Sequence, residues 1–245
     1  MKIIPLSEGA FTVDASKQFV PFNLQTDDLQ NRNKGSLLVE IQPFVVITDR
    51  DILLLDTGLG FVQSGHMQIH KNLFDHGIDP SSITKVLMSH LHKDHAGGMG
   101  NTLNDKATAA FINADYYINS KEFENAFSAN GASYLTHDFE FLRNSEKLRL
   151  IDDKGSIDDY IFYERTGGHS PYHQCFKIIQ NLEIVFFGGD VAPQLQQMKS
   201  RFVAKYDFDG KKSMELRKEW WEKGEVGKWC FLFYHDLKNP VVNRL

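Results

Sequence analysis

The stretch Ser89-His90-Leu91-His92-Lys93-Asp94-His95-Ala96-Gly97-Gly98 places four metal-capable side chains within six residues, in the order His-x-His-x-Asp-His. His90 and His92 are two apart, so in extended backbone both imidazoles project from one side. Asp94 and His95 follow as the chain turns away and face a second point close by. That spacing suits two adjacent metal ions rather than one. Imidazoles and carboxylates without cysteine form an N/O donor set of the kind that takes zinc, iron or manganese. Such ions lower the pKa of bound water from about 15.7 to about 7. Hydrolysis then needs no side-chain nucleophile, and no G-x-S-x-G elbow is present.

These side chains need a scaffold. Residues 83–88 read as a short, apolar, β-branched strand ending at Ser89. The histidines therefore fall on the loop beyond its C-terminal edge, where α/β folds place ligands. Three further runs have the same form. Residues 160–165 lead into Thr166-Gly167-Gly168-His169, where two glycines permit a tight turn beneath the histidine. Residues 183–187 lead through Gly188-Gly189 to Asp190, and residues 229–234 lead to His235. Asp56 ends the apolar run Ile52-Leu53-Leu54-Leu55 at the same edge. It is placed to accept a hydrogen bond from the back of a ligand imidazole and so fix its tautomer. His173 is read as a supporting or structural residue of the same kind.

Taken in order, His90, His92, Asp94, His95, His169, Asp190 and His235 resemble the ligand set of the metallo-β-lactamase superfamily of dinuclear metallohydrolases. The likeness runs from Leu53-Leu54-Leu55-Asp56-Thr57-Gly58 through His235. His169-Ser170-Pro171-Tyr172-His173 and Tyr206-Asp207-Phe208-Asp209-Gly210 look closest to the branch holding N-acyl homoserine lactonases and methyl parathion hydrolase.

The resemblance implies an α/β (α+β) fold, a four-layer αβ/βα sandwich of two mixed β-sheets flanked by helices. It implies two divalent metal ions, zinc first, with iron or manganese as alternatives. His90, His92 and His169 would hold one ion, and Asp94, His95 and His235 the other. Asp190 would bridge, so that Asp94 and Asp190 are the catalytic carboxylates. A hydroxide held between the ions would cleave an ester or lactone of a small molecule. Alternatives on the same site are phosphoester, phosphotriester or thioester hydrolysis, or a mononuclear iron dioxygenase, against which the intact Asp94 and His95 argue. The chain departs from the lactonases at Pro193, where they carry a tyrosine. Tyr163, Tyr172 and Tyr206 are the alternatives for that role.

Composition is that of an ordinary globular protein, with 42% hydrophobic and 24% charged residues. A net charge of −5 without a basic run argues against nucleic acid as a non-specific partner. No apolar stretch is long enough to span a membrane, and the first residues lack a signal-peptide core. Cys175 and Cys230 lie in apolar strands, read as buried and reduced, which fits a cytoplasmic location.

Along the chain, residues 14–35 read as an irregular excursion that serves as packing, a lid or a homodimer contact. Residues 36–41, 44–48 and 52–56 read as a β-meander. Residues 64–76 predict a helix capped by Ser64 and closed by Gly77, with His66 and His70 on a solvated face. Residues 109–118 hold two short strands, 120–128 and 138–144 helices, and 148–151 a strand before a turn at 152–155. A hairpin turns at 180–181, and 211–227 form the last helix. With ten residues after His235, a closing strand is expected to be absent. The expected organisation is one domain over residues 1–245, its two strand-then-helix halves meeting near residues 120–145.

Overall fold

The computed structural model describes residues 1–101, 108–129 and 131–243. Apolar runs of four or five residues become strands buried on both faces. In Ile52–Leu55, Leu53 and Leu55 point one way and Leu54 the other, and all three are buried. Two six-stranded sheets result. One runs in the order Lys2–Pro5, Phe44–Ile47, Ile52–Leu55, Lys85–Leu87, Asp115–Asn119 and Leu148–Ile151. The other runs Lys154–Ile157, Ile161–Arg165, Gln174–Gln180, Glu183–Phe187, Cys230–Leu232 and Val241–Asn243. Both mix parallel and antiparallel pairs.

Between the sheets, Val46, Leu53, Leu55 and Leu87 pack with Phe176, Ile178, Val185, Phe187 and Leu232. On the outer face of the first sheet, Val45, Leu54 and Val86 meet Ile69 and Leu73 of α1 (Gln68–Asp75) and Phe123 of α3 (Ser120–Ser128). On the outer face of the second, Phe186 and Phe231 meet Trp220 of the long helix Gly210–Gly227. The layers are helix, sheet, sheet, helix, as expected. Both cysteines are free and buried. No helix among the described residues is long and apolar enough to cross a membrane.

Several local expectations are corrected. Strand Leu37–Ile41 pairs with Gly9–Val13 in a three-stranded sheet with Phe19–Pro21, not with Phe44–Ile47. The link Gln42-Pro43 carries the chain from one sheet to the other, so there is no meander. Part of the excursion at 14–35 is thereby a strand. Ser64 and Gly65 have φ of +52° and +79° and form the turn of a small hairpin. The helix therefore starts at Gln68, while Gly77, at φ +74°, closes it as expected. His70 is not solvated: it packs edge-on to Phe111 at 5.5 Å, and burial lowers its pKa. Lys154–Ile157 is a strand, and the tight turn falls at Asp158-Asp159, both at positive φ. The chain crosses between sheets from Ile151 to Lys154, somewhat beyond residues 120–145. A closing strand is present, Val241–Asn243 against Cys230–Leu232.

The strand ends carrying chemistry gather at one edge. At the far edge, Lys85 bridges Asp51 at 2.6 Å and Asp158 at 3.0 Å, stitching the two sheets together. Beside the opposite edge lies Glu8, whose buried carboxyl group accepts from the Leu59 N–H at 2.6 Å. Burial pushes its pKa from 4.5 to about 8. The folded state thus binds this proton more tightly than the unfolded chain. The associated stability is complete below pH 4.5 and is lost as pH rises through about 8. Over that window the loss is on the order of 5 kcal/mol, at about 1.4 kcal/mol per pH unit. Glu8→Gln carries no titrating proton, so its stability relative to wild type is expected to rise from pH 5 to pH 8.5. Urea unfolding at both pH values checks this, and a difference independent of pH would refute it.

Candidate metal centre

The quartet loop follows Lys85–Leu87, and a single short turn, α2 (Lys93–Ala96), swings Asp94 and His95 away from His90 and His92. Gly167, at φ +58°, lets the loop below His169 turn back. Gly189, at φ +49°, is needed next to Asp190, since a Cβ there would lie 2.5 Å from His173 Nε2.

The structure brings all seven predicted ligands into two adjoining groups, His90/His92/His169 and Asp94/His95/Asp190/His235. In the first, His92 Nδ1 lies 3.0 Å from His90 Nε2 and 3.1 Å from His169 Nε2. In the second, Asp190 Oδ1 lies 3.1 Å from His95 Nε2 and 3.0 Å from His235 Nε2, with Asp94 Oδ2 at 3.5 Å from His235. The other oxygen of Asp190 faces the first group, 3.4 Å from His169 Nε2.

The far side of four of the five rings is held, those of His90, His95, His169 and His235. Ser89 Oγ donates to Asp56 Oδ2 at 2.7 Å, so it accepts from His90 Nδ1 at 3.0 Å. His95 Nδ1 donates to Asp56 Oδ2 at 2.7 Å, His169 Nδ1 to Asp207 Oδ1 at 2.9 Å, and His235 Nδ1 to the Glu40 carbonyl at 2.7 Å. These bonds put a proton on Nδ1 of each of these rings and aim its Nε2 at the centre. His173 stands apart from both groups. Its Nδ1 is 2.8 Å from the Thr166 hydroxyl, and its Nε2 accepts the Asp190 N–H at 3.1 Å.

The donor set fits divalent cations. Nitrogen donors about 2.0–2.1 Å from tetrahedral zinc lie roughly 3.3 Å apart, close to the separations in the first group. One proton on His92 Nδ1 cannot satisfy two facing lone pairs, whereas a cation can. In the second group, His95 Nε2 and Asp190 Oδ1 are buried and close, yet neither is aligned in a hydrogen bond. An unpaired buried atom costs about 1–3 kcal/mol, so both await a partner.

The groups differ in charge. Burial and the neighbouring histidines hold His90 and His92 well below the usual imidazole range, so they are neutral ligands. Burial also opposes charge on His95 and His235, but Asp190 and Asp94 outweigh it and raise both. Burial would raise Asp190, yet His235, His95 and His169 bring it well below the carboxylate range. Metal uptake in this group therefore displaces protons.

Sequence reasoning missed several supports. Asp207 supports His169 from within the Tyr206–Gly210 stretch, and Glu40 acts through its backbone. Glu122, buried on α3, accepts from the Leu91 N–H at 3.0 Å and the Tyr134 hydroxyl at 3.1 Å, anchoring the quartet loop. Tyr234 stacks on His95 at 4.1 Å and donates to the Asp94 carbonyl at 2.6 Å. The buried Arg217 donates to the carbonyls of Val191, at 2.8 Å, and Phe202, tying the Asp190 loop to the next segment.

Over the centre opens a cavity of about 570 Å³, lined by His92, Asp94, His169, Asp190 and His235 at its base. Its walls include Val13, Phe19, Leu37, Val39, Pro193 and Phe202. Histidines and carboxylates clustered at the floor of this cleft, between two sheets of a layered α/β sandwich, form a candidate metal centre.

Residues 40–234 match the metallo-beta-lactamase superfamily, and the chain belongs to it. It is 31% identical over 113 residues to the N-acyl homoserine lactonase AttM of Azorhizobium caulinodans, a match covering 42% of this chain and spanning only 38% of that relative's length. Among solved structures, a probable metal-dependent hydrolase from Staphylococcus aureus superposes with a TM-score of 0.81 at 23% identity, covering 99% of this chain and 91% of the other. The dizinc quorum-quenching lactonase AidC superposes at 0.74 with 18% identity, covering 98% and 88%. At these identities the superpositions establish the fold alone.

Proposed function

We propose that the protein is a dinuclear metal-dependent hydrolase acting on an ester or lactone of a small molecule, with residues 1–245 working as one metallo-beta-lactamase-like domain. The observation that carries this is the two-sided Asp190, with one oxygen toward His169 and the other toward His95 and His235. In this reading His90, His92 and His169 hold one ion, Asp94, His95 and His235 the second, and Asp190 spans them. Asp56 and His173 keep these groups oriented. Zinc suits the donor set best, with iron or manganese as alternatives. Bound divalent ions supply Lewis acidity and water with a pKa of about 7.

The chain's own residues do the rest. Asp94 and Asp190 compensate part of the cationic charge, and the fixed Nδ1 protons keep the imidazoles from rotating. Of Tyr163, Tyr172 and Tyr206, only Tyr206 is among the residues lining the cavity. Partial burial and the charge of Asp190 push its phenol up to about 12, so at neutral pH it is a donor for a substrate carbonyl. The names of AttM and AidC as lactonases favour a lactone or ester over other substrates. Val20, Leu24 and Leu29 are exposed on the 14–35 segment and are where a homodimer contact would form, a point that sedimentation equilibrium tests.

Protein purified without chelator is expected to carry two divalent ions per chain by elemental analysis. It is expected to turn over members of a panel of lactones, esters, thioesters and phosphotriesters, lactones or simple esters fastest. One ion per chain would refute the dinuclear reading, and two ions without turnover would refute the hydrolase.

A further inference from the structure

The chain carries a net charge of −5, yet the cavity over the centre is bordered by three lysines, Lys17, Lys93 and Lys205. None of the three makes an ion pair among the described residues. Lys17 is close enough to act on both His92 and Lys93. Lys93 is half-buried, its ammonium 5.9 Å from the Phe19 ring and its backbone N–H donating to the Ser133 carbonyl at 2.8 Å. Lys205 lines the same cavity, next in sequence to Tyr206. Asp14 is the one acidic residue of the wall outside the metal centre, and its carboxylate is already engaged by Ser16 and Asn33.

We infer that Lys17, Lys93 and Lys205 bind an anionic group on the substrate, which is an ester or lactone with an apolar body and a carboxylate or other negative charge remote from the scissile bond. This rests on the hydrolase reading above. Free cations at the mouth of a low-dielectric cleft focus field and raise the local concentration of anions. The walls formed by Val13, Phe19, Leu37 and Phe202 take the apolar body, and the lysines select among amphiphiles by charge. Three lysines without a carboxylate partner thus line one cleft of an acidic protein.

Two measurements on the metal-loaded protein separate the possibilities. In the first, the anionic probe 1-anilinonaphthalene-8-sulfonate and its uncharged counterpart N-phenyl-1-naphthylamine are titrated by fluorescence. The sulfonate is expected to bind at least about tenfold more tightly, a margin that shrinks severalfold in Lys17→Met/Lys93→Met and again in Lys205→Met. In the second, kcat/KM is compared for p-nitrophenyl hexanoate and the mono-p-nitrophenyl ester of adipic acid, which has the same chain length. The acid-bearing ester is expected to be preferred about tenfold, the ratio falling toward one in the variants and in high salt. Charge discrimination in the probes without turnover of either ester would sink the hydrolase and leave the anion site standing. Equal binding of both probes with equal turnover of both esters would overturn the anion site and leave the hydrolase intact. Ratios that are unchanged in the lysine variants would likewise overturn it.

Discussion

Asp190→Asn is expected to lose most of one bound metal and roughly a thousandfold in kcat/KM, the scale seen when one preorganised electrostatic group is removed from an active site. Both oxygens of Asp190 are committed, one at 3.4 Å from His169 Nε2 and the other at 3.1 and 3.0 Å from His95 and His235. An amide keeps the shape but offers one neutral oxygen. Its NH₂ must face one of the two groups, where a donor repels a cation. Of the two carboxylates in the groups, Asp94 and Asp190, half the compensating charge is lost. Elemental analysis and steady-state kinetics on the same preparation check this, with a thermal melt to establish folding. Full activity with unaltered metal content would contradict the bridging role.

The clustering of the candidate ligands was legible because they follow the ends of apolar runs, and strands of this length leave the sheet at a shared edge. Layering was legible for the same reason, since Leu53-Leu54-Leu55 has no polar face to leave in water. What could not be read has different causes. Asp207 lies 38 residues from His169 in an irregular stretch, so no periodicity points to it. Glu40 contributes a carbonyl, which any residue type would supply. Ser64-Gly65 is as good a hairpin turn as Ser64 is a helix cap, and pairing of Val62–Gln63 with His66–Met67 decided between them. Lys154–Ile157 lacks bulky β-formers and is a strand because Ile161–Arg165 pairs with it. The partner of Leu37–Ile41 is nonlocal, and local signals favoured the nearer Phe44–Ile47. His70 followed its helix spacing onto an exposed face until Phe111 covered it.

Asp56→Asn separates positioning from chemistry. Asp56 is fully buried and receives three donors: the Ser89 N–H and hydroxyl, each at 2.7 Å, and His95 Nδ1–H, also at 2.7 Å. Its φ of +54° is one that asparagine tolerates, so the backbone is not the source of the effect. An amide, however, cannot accept on both sides. With its oxygen toward His95, its NH₂ meets the Ser89 N–H, donor against donor. Turned over, the NH₂ meets His95 Nδ1 and drives the imidazole proton to Nε2, removing the lone pair aimed at the centre. Either way metal affinity is expected to fall about 10- to 100-fold. Folding stability should drop by about 1–3 kcal/mol for the donor left unpaired. Because Ser89 also holds His90 Nδ1, both groups weaken together. Asp56 touches no ligand atom that faces the cavity, so saturating zinc should restore kcat in this variant and fail to do so in Asp190→Asn. Competition with a chelating dye gives the affinity, and kinetics across a zinc series give the rescue. A kcat that stays low at saturating zinc would show that Asp56 does more than orient His95 and His90.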